Sequence, residues 1–264
     1  MKKIPGAALL VLTLTASAQA QTRGPLVAVG GGGTTDAIVA RTLKLAGGKT
    51  ARVVVLPQSS ELEGAGDSSV KMWLDAGAAE ARKVDFTAPD ARTSLERATL
   101  IWIPGGDQNR FMKSIDGTGL AEVIAAANRK GAVVGGTSAG AAVLSEWMIT
   151  GDADLAALTA GKTVLAKGLA LWPAAIVDQH FLRRQRHNRL LSAVLDRPTL
   201  IGVGVDEGTA VFLIGERLDV TGSSAVVVVD ARNANVEKLA PGAVSAATNL
   251  KVSVLRDGMS IPLK

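Results

Sequence analysis

Ser138 stands in Gly135-Gly136-Thr137-Ser138-Ala139-Gly140-Ala141, between a short apolar run and a segment of small residues. The glycines at 136 and 140 give a G-x-S-x-G spacing, which lets the backbone take strained dihedrals between a strand and a helix and leaves the hydroxyl exposed at the apex. A serine held there can attack a carbonyl carbon. The same residues also fit a plain glycine-rich turn whose serine caps a helix, so other groups must decide. A serine hydroxyl is a weak nucleophile until a base takes its proton, and a third group must hold that base in one tautomer. The chain has two histidines. His187 shares the apolar stripe of a predicted helix with Leu190, Leu191, Val194 and Leu195, which reads as structural. His180 falls at a strand-to-helix junction, where a side chain can lean over the sheet edge. Asp178, Asp206 and Glu207 all qualify as the orienting acid. Asp206 and Glu207 come from a neighbouring strand end and are better placed behind the imidazole, but spacing does not separate them.

An attacked carbonyl becomes an oxyanion that needs preorganised N–H donors, each worth on the order of 100- to 1,000-fold in rate. Ala139, directly after the serine, supplies the natural first donor, and Gly106 or its neighbour Gly105 the second. Arg183, Arg184, Arg186 and Arg189 then place four cations in seven residues, just after His180. Like charges at helical spacing repel, whereas guanidinium forks match carboxylates. The cluster therefore points to a carboxylate on the substrate.

These groups need a scaffold, and the chain supplies strands and helices in alternation. Strands are predicted at Pro25–Val29, Ala51–Leu56, Lys83–Phe86, Ala98–Ile103, from Ala132 to the serine turn, at Ala174–Val177 and at Thr199–Val205. Helices are predicted at Thr35–Ala46, Ser68–Arg82, around Gln108–Ile115, at Gly119–Arg129 and at Phe181–Leu195. That rhythm implies an α/β fold, a mostly parallel sheet with helices on both faces, whose sites form beyond the carboxyl ends of the strands. From Ala210 onward short strands predict an antiparallel C-terminal extension of the same sheet. The Gly30–Gly33 turn has Thr34, Thr35 and Asp36 where a dinucleotide fingerprint needs its third glycine, so it reads as a tight strand-to-helix turn.

Composition narrows the setting. Lys2 and Lys3, an apolar run from Ala7 to Leu14 and Ala18-Gln19-Ala20 read as a secretory signal peptide over residues 1–20, leaving 21–264 as a single domain in the periplasm or the medium. The apolar run is too short to span a bilayer, so no membrane association is expected after cleavage. Without residues 1–20 the chain carries 27 basic and 24 acidic side chains, net +3, too mild for a nucleic-acid partner. No cysteine is present, which excludes disulfides, a thiolate nucleophile and cysteine metal sites. Nothing in the sequence calls for a metal or cofactor.

Three segments together are more specific than any one. Gly135-Gly-Thr-Ser-Ala-Gly-Ala141, Asp178-Gln-His-Phe-x-x-Arg184-x-Arg186-x-x-Arg189-Leu190 and Gly204-Val-Asp-Glu-Gly-Thr-Ala210, in that order, closely resemble the cyanophycinases, serine peptidases grouped with aspartyl dipeptidase. The resemblance implies a fold similar to class I glutamine amidotransferases, a triad of Ser138, His180 and Glu207, and a substrate pocket shaped by Gln108, Asp178, Gln179, Arg184, Arg186 and Arg189. It also implies a homodimer and a substrate of poly-aspartate bearing arginine side chains, cut to β-aspartyl-arginine. The expectation is an exported serine peptidase acting on aspartyl bonds. Its rivals are an aspartyl dipeptidase, an esterase-like hydrolase using His187 with Asp152 or Asp154, and a non-catalytic protein that captures acidic peptides.

Overall fold

Leu26–Val29 and Leu100–Ile103 are uninterrupted apolar runs, and every residue in them is buried, as a strand covered on both faces requires. A computed structural model describes residues 23–150 and 158–263; the expected signal peptide, Asp152 and Asp154 lie outside them. In the first half β1 (Leu26–Val29), α1 (Asp36–Leu45), β2 (Arg52–Val55), α2 (Asp67–Asp75), β3 (Glu80–Lys83), α3 (Ala91–Arg97), β4 (Leu100–Ile103), α4 (Gln108–Ile115), α5 (Leu120–Arg129), β5 (Val133–Thr137) and α6 (Ala139–Ala142) follow one another. The second half is richer in strands. It runs through β6 (Trp147–Ile149), β7 (Leu165–Lys167), β8 (Ala175–Asp178), α7 (His187–Asp196), β9 (Ile201–Val205), β10 (Thr209–Ile214), β11 (Arg217–Gly222), β12 (Val226–Asp230), β13 (Asn235–Val236), β14 (Ala247–Thr248), β15 (Lys251–Leu255) and β16 (Ser260–Pro262).

The expected mostly parallel sheet is present, in the order β16-β11-β10-β1-β5-β4-β2-β3, with β1 to β5 parallel and β10, β11 and β16 forming an antiparallel extension. A second sheet, β15-β12-β9-β8, corrects the expectation of one continuous sheet. The chain crosses from the second sheet to the first between β9 and β10, at residues 206–208, and returns between β11 and β12. His180 and Glu207 thus follow strands of one sheet while Ser138 follows a strand of the other.

Both faces of the large sheet are packed. On one, Trp73 of α2 meets Trp102 of β4 edge-on at 5.1 Å, among Ile38, Val39 and Leu43 of α1. On the other lie Phe111, Leu120 and Ile124, while Leu190 and Val194 of α7 cover Ile176, Val227 and Val229 of the second sheet. Each such fully buried side chain contributes roughly 1.5–3 kcal/mol, which outweighs helix propensity in deciding where helices lie. Two helices are shorter than the sequence predicts. α2 stops before Gly77, which takes φ +97 and turns the chain into β3, and α7 begins only at His187. Among the described residues no helix is long and apolar enough to cross a membrane.

Candidate active site

Ser138 links β5 to α6 with φ 54 and ψ −114, a region that costs a non-glycine residue of order 1–3 kcal/mol. The strain therefore sits on the serine, and the flanking glycines serve a different purpose from the one expected. A Cβ on Gly140 would lie 1.9 Å from the Ile103 carbonyl oxygen and one on Gly136 2.5 Å from it, so both glycines let the turn press against the end of β4. The serine N–H donates to the Val29 carbonyl at 3.0 Å. Its side chain makes no capping bond to α6. The hydroxyl instead lies 3.0 Å from His180 Nε2.

On its other side the imidazole approaches Glu207, with Nδ1 to Oε1 at 2.5 Å. An ionised carboxylate only accepts, so Nδ1 carries the ring proton and the Nε2 lone pair faces the serine hydroxyl. The His180 side chain is mostly buried whereas that of Glu207 is 33% exposed. Asp206 is occupied elsewhere. Its carboxylate accepts the N–H groups of Leu182 at 3.0 Å and Arg183 at 2.9 Å and the Ser224 hydroxyl at 2.7 Å. Burial pushes its pKa up, but the hydrogen bonds from Arg183, Ser224, Glu207 and Leu182 together outweigh that and hold it below the ordinary aspartate range. Of the three acids, Glu207 reaches the imidazole, Asp206 ties the turn that follows it, and Asp178 points away into an ion pair.

The arginine segment departs from expectation. Residues 181–186 form turns and not a helix, because Gln185 adopts φ 51. His187 is consequently the first residue of α7 and is exposed, its ring 4.9 Å from Phe181, and not on the apolar stripe. Asp178 and Arg189 are almost wholly buried and pair through both carboxylate oxygens, Nε to Oδ2 at 2.8 Å and Nη2 to Oδ1. Arg186 Nη1 donates to the Gln179 carbonyl at 2.7 Å and to its Oε1 at 2.6 Å. Burial first, then Arg189 and Arg184, lowers the Arg186 pKa to about 10 against the opposing pull of Asp178, so it stays charged at neutral pH. Gln108 is buried and donates to the carbonyls of Ile149 and Thr150, each at 2.9 Å. Of the six residues assigned to a substrate pocket, Arg184 alone is exposed. Asp178 pairs with Arg189 and Gln179 with Arg186, while Gln108 is held by the backbone at residues 149 and 150.

The proposed oxyanion donors adjoin the serine. A Cβ on Gly105 would lie 3.4 Å from Ser138 Cβ, so the 104–106 turn abuts the hydroxyl. Among the described residues neither Ala139 nor Gly106 donates its N–H to a backbone acceptor outside regular elements. The Gln58-Ser59-Ser60 loop, silent in the sequence, supports that turn. Ser59 donates its hydroxyl to the Gly105 carbonyl at 2.8 Å and accepts the Asp107 N–H on its own carbonyl at 2.8 Å. The glycine turn after β1 joins that strand to α1 as expected, and it has a role that the sequence did not assign. Its neighbouring carbonyls at Val29, Gly30 and Gly31 accept the N–H groups of Ser138, His180 and Gly208 at 3.0, 2.7 and 2.9 Å. A run of four glycines at the carboxyl end of a strand was the available signal. Among the described residues no cluster of three or more His, Asp or Glu side chains could hold a metal ion.

A mostly parallel sheet flanked by helices, with serine, imidazole and carboxylate converging at one edge, is an arrangement shared by serine-dependent hydrolases. Residues 26–221 match the model of Peptidase family S51, and the chain belongs to that family. It is 35% identical over 233 residues to a cyanophycinase of Geminocystis herdmanii, covering 84% of this chain and 86% of that protein. It is also 35% identical over 225 residues to a cyanophycinase of Synechococcus elongatus, covering 81% and 70%. Among solved structures a peptidase from an acI-B1 actinobacterium superposes with a TM-score of 0.69 at 21% identity, covering 92% of this chain and 98% of that one.

Proposed function

We propose that the protein is an exported peptidase that hydrolyses aspartyl bonds of cyanophycin or a related acidic peptide through an acyl-enzyme on Ser138. The observation that carries this reading is the pair of contacts on one imidazole, 3.0 Å to the serine hydroxyl and 2.5 Å to Glu207. His180 Nε2 takes the hydroxyl proton as Oγ bonds to the scissile carbonyl carbon, and the N–H groups of Ala139 and Gly106 hold the resulting oxyanion. Collapse breaks the C–N bond, and the departing amine takes the proton from Nε2. Water then gives a proton to the same nitrogen and attacks the ester; the freed serine recovers that proton as the acid leaves. Arg184, exposed on the turn directly after His180, is the partner for a free carboxylate. The relatives named as cyanophycinases favour that polymer, and residues 1–20 supply the export signal.

The test incubates purified protein and Ser138→Ala with cyanophycin and with aspartyl dipeptides. The expected result is release of β-aspartyl-arginine by the unaltered protein and a loss on the order of 1,000-fold or more in the variant. Equal product from both proteins removes Ser138 as the nucleophile. Cleavage of dipeptides alone selects the aspartyl dipeptidase, and binding without cleavage of either selects a capture protein.

A further inference from the structure

We propose that Gly31 and Gly32 are positioning residues that set the imidazole against the serine and the carboxylate against the imidazole; this rests on the roles proposed above for Ser138, His180 and Glu207. Gly31 has φ +103, and a Cβ there would lie 2.3 Å from His180 Cε1 and 2.5 Å from Nε2. Gly32 has φ +68, and a Cβ there would lie 2.7 Å from Glu207 Cβ and 2.8 Å from Oε2. The turn cannot swing aside to admit a methyl group. Its carbonyls at Gly30 and Gly31 hold the N–H groups of His180 at 2.7 Å and Gly208 at 2.9 Å, so the strands bearing the imidazole and the carboxylate are tied to the same backbone that a side chain would displace. A methyl group at 31 must instead move the ring and open the 3.0 Å contact between Nε2 and Ser138 Oγ.

The turn contains its own control. Gly33 has the same φ of +103, yet a Cβ there would meet nothing within 4 Å. Gly31→Ala and Gly33→Ala therefore place an alanine at the same positive φ and differ in what the methyl group meets.

Kinetics on the peptide cleaved by the unaltered protein decide the matter, with thermal melts of each variant alongside. Misplacing a catalytic group by about 1 Å costs roughly 100-fold, so Gly31→Ala should lose about that much kcat with KM changed less than about threefold, while Gly33→Ala stays within about twofold of the parent. Gly32→Ala should displace Glu207 from Nδ1. That displacement should also cost about 100-fold in kcat with KM changed less than about threefold. A merely structural role would lower the melting temperature without this split between kcat and KM. Values of kcat for Gly31→Ala and Gly32→Ala that both match Gly33→Ala overturn the proposal. Should Gly31→Ala fail to fold, kcat of Gly32→Ala against Gly33→Ala alone decides. Ser138→Ala in the same assay separates the two levels: activity there removes the nucleophile itself, whereas an inactive Ser138→Ala with an active Gly31→Ala removes only the positioning role.

Discussion

Asp206 and Glu207 are consecutive carboxylates with different duties, and single substitutions distinguish them. Glu207→Gln keeps the shape of the side chain but loses the preference for a proton on Nδ1, so kcat should fall by about 10⁴ with little change in the denaturation midpoint. Asp206→Ala leaves the amides of Leu182 and Arg183 without their acceptor and should cost about 1–3 kcal/mol of stability as well as activity. A denaturation curve beside a rate assay on both variants checks this; equal losses of stability would show that the two acids share one role. The histidines divide in the same way. His187→Ala should remove only a ring contact with Phe181 and keep most activity, whereas His180→Ala should abolish nearly all of it. The reverse outcome would restore the esterase-like reading.

The segment from β8 to α7 carries the next test, because Asp178, Gln179 and Arg189 were expected in a pocket and are found buried in a hydrogen-bonded network. Asp178→Ala strands the Arg189 charge in the interior, and breaking a buried pair in this way costs about 3–5 kcal/mol. Replacing both residues by apolar ones should recover much of that loss. Urea unfolding of Asp178→Ala and of Asp178→Leu with Arg189→Met measures it, and a single variant as stable as the parent would return Asp178 to the substrate side. The sequence revealed that this segment mattered but not how. Four arginines in seven residues are visible as a cluster. That Asp178 faces Arg189, and that Gln179 takes Arg186, depends on Gln185 adopting φ 51, which residue type does not announce. The serine turn was legible because glycines at two fixed positions leave few alternatives, yet the reason they are glycine, closeness to Ile103, belongs to another strand.

Across the whole molecule, β1, β2, β4 and β5 were readable because strands covered on both faces are continuous apolar runs, as in Val53, Val54 and Val55, whereas the polar edge strand β3 was expected at Lys83–Phe86 and lies at Glu80–Lys83. The second sheet was not readable, since β12 and β15 look locally like further strands of the first, and only the crossings on either side of β10 and β11 assign them elsewhere. The antiparallel extension is fastened to the helical layer by charge. Asp219 on β11 accepts from Arg217 Nε at 2.7 Å and from Arg41 of α1 at 2.6 Å, and the Arg41 guanidinium lies 4.3 Å from the centre of the Phe212 ring. Burial raises the Asp219 pKa, but the bonds and charges of Arg217 and Arg41 together leave it below the ordinary aspartate value. A carboxylate whose pKa is lower in the folded state stabilises the fold above its unfolded value, about 3.9, and loses that contribution as pH falls through the folded value. Asp219→Asn should therefore be less stable than the parent at pH 7, and the gap should narrow as pH falls from about 4 toward the lower folded value at which the parent also protonates. Urea midpoints for both proteins at pH 7 and pH 3 measure the gap. Because Asp219 makes no contact with Ser138, His180 or Glu207, activity per folded molecule at pH 7 should be unchanged. A gap that is constant with pH would mean that the asparagine disturbs packing and that the charge does not tie the extension to α1.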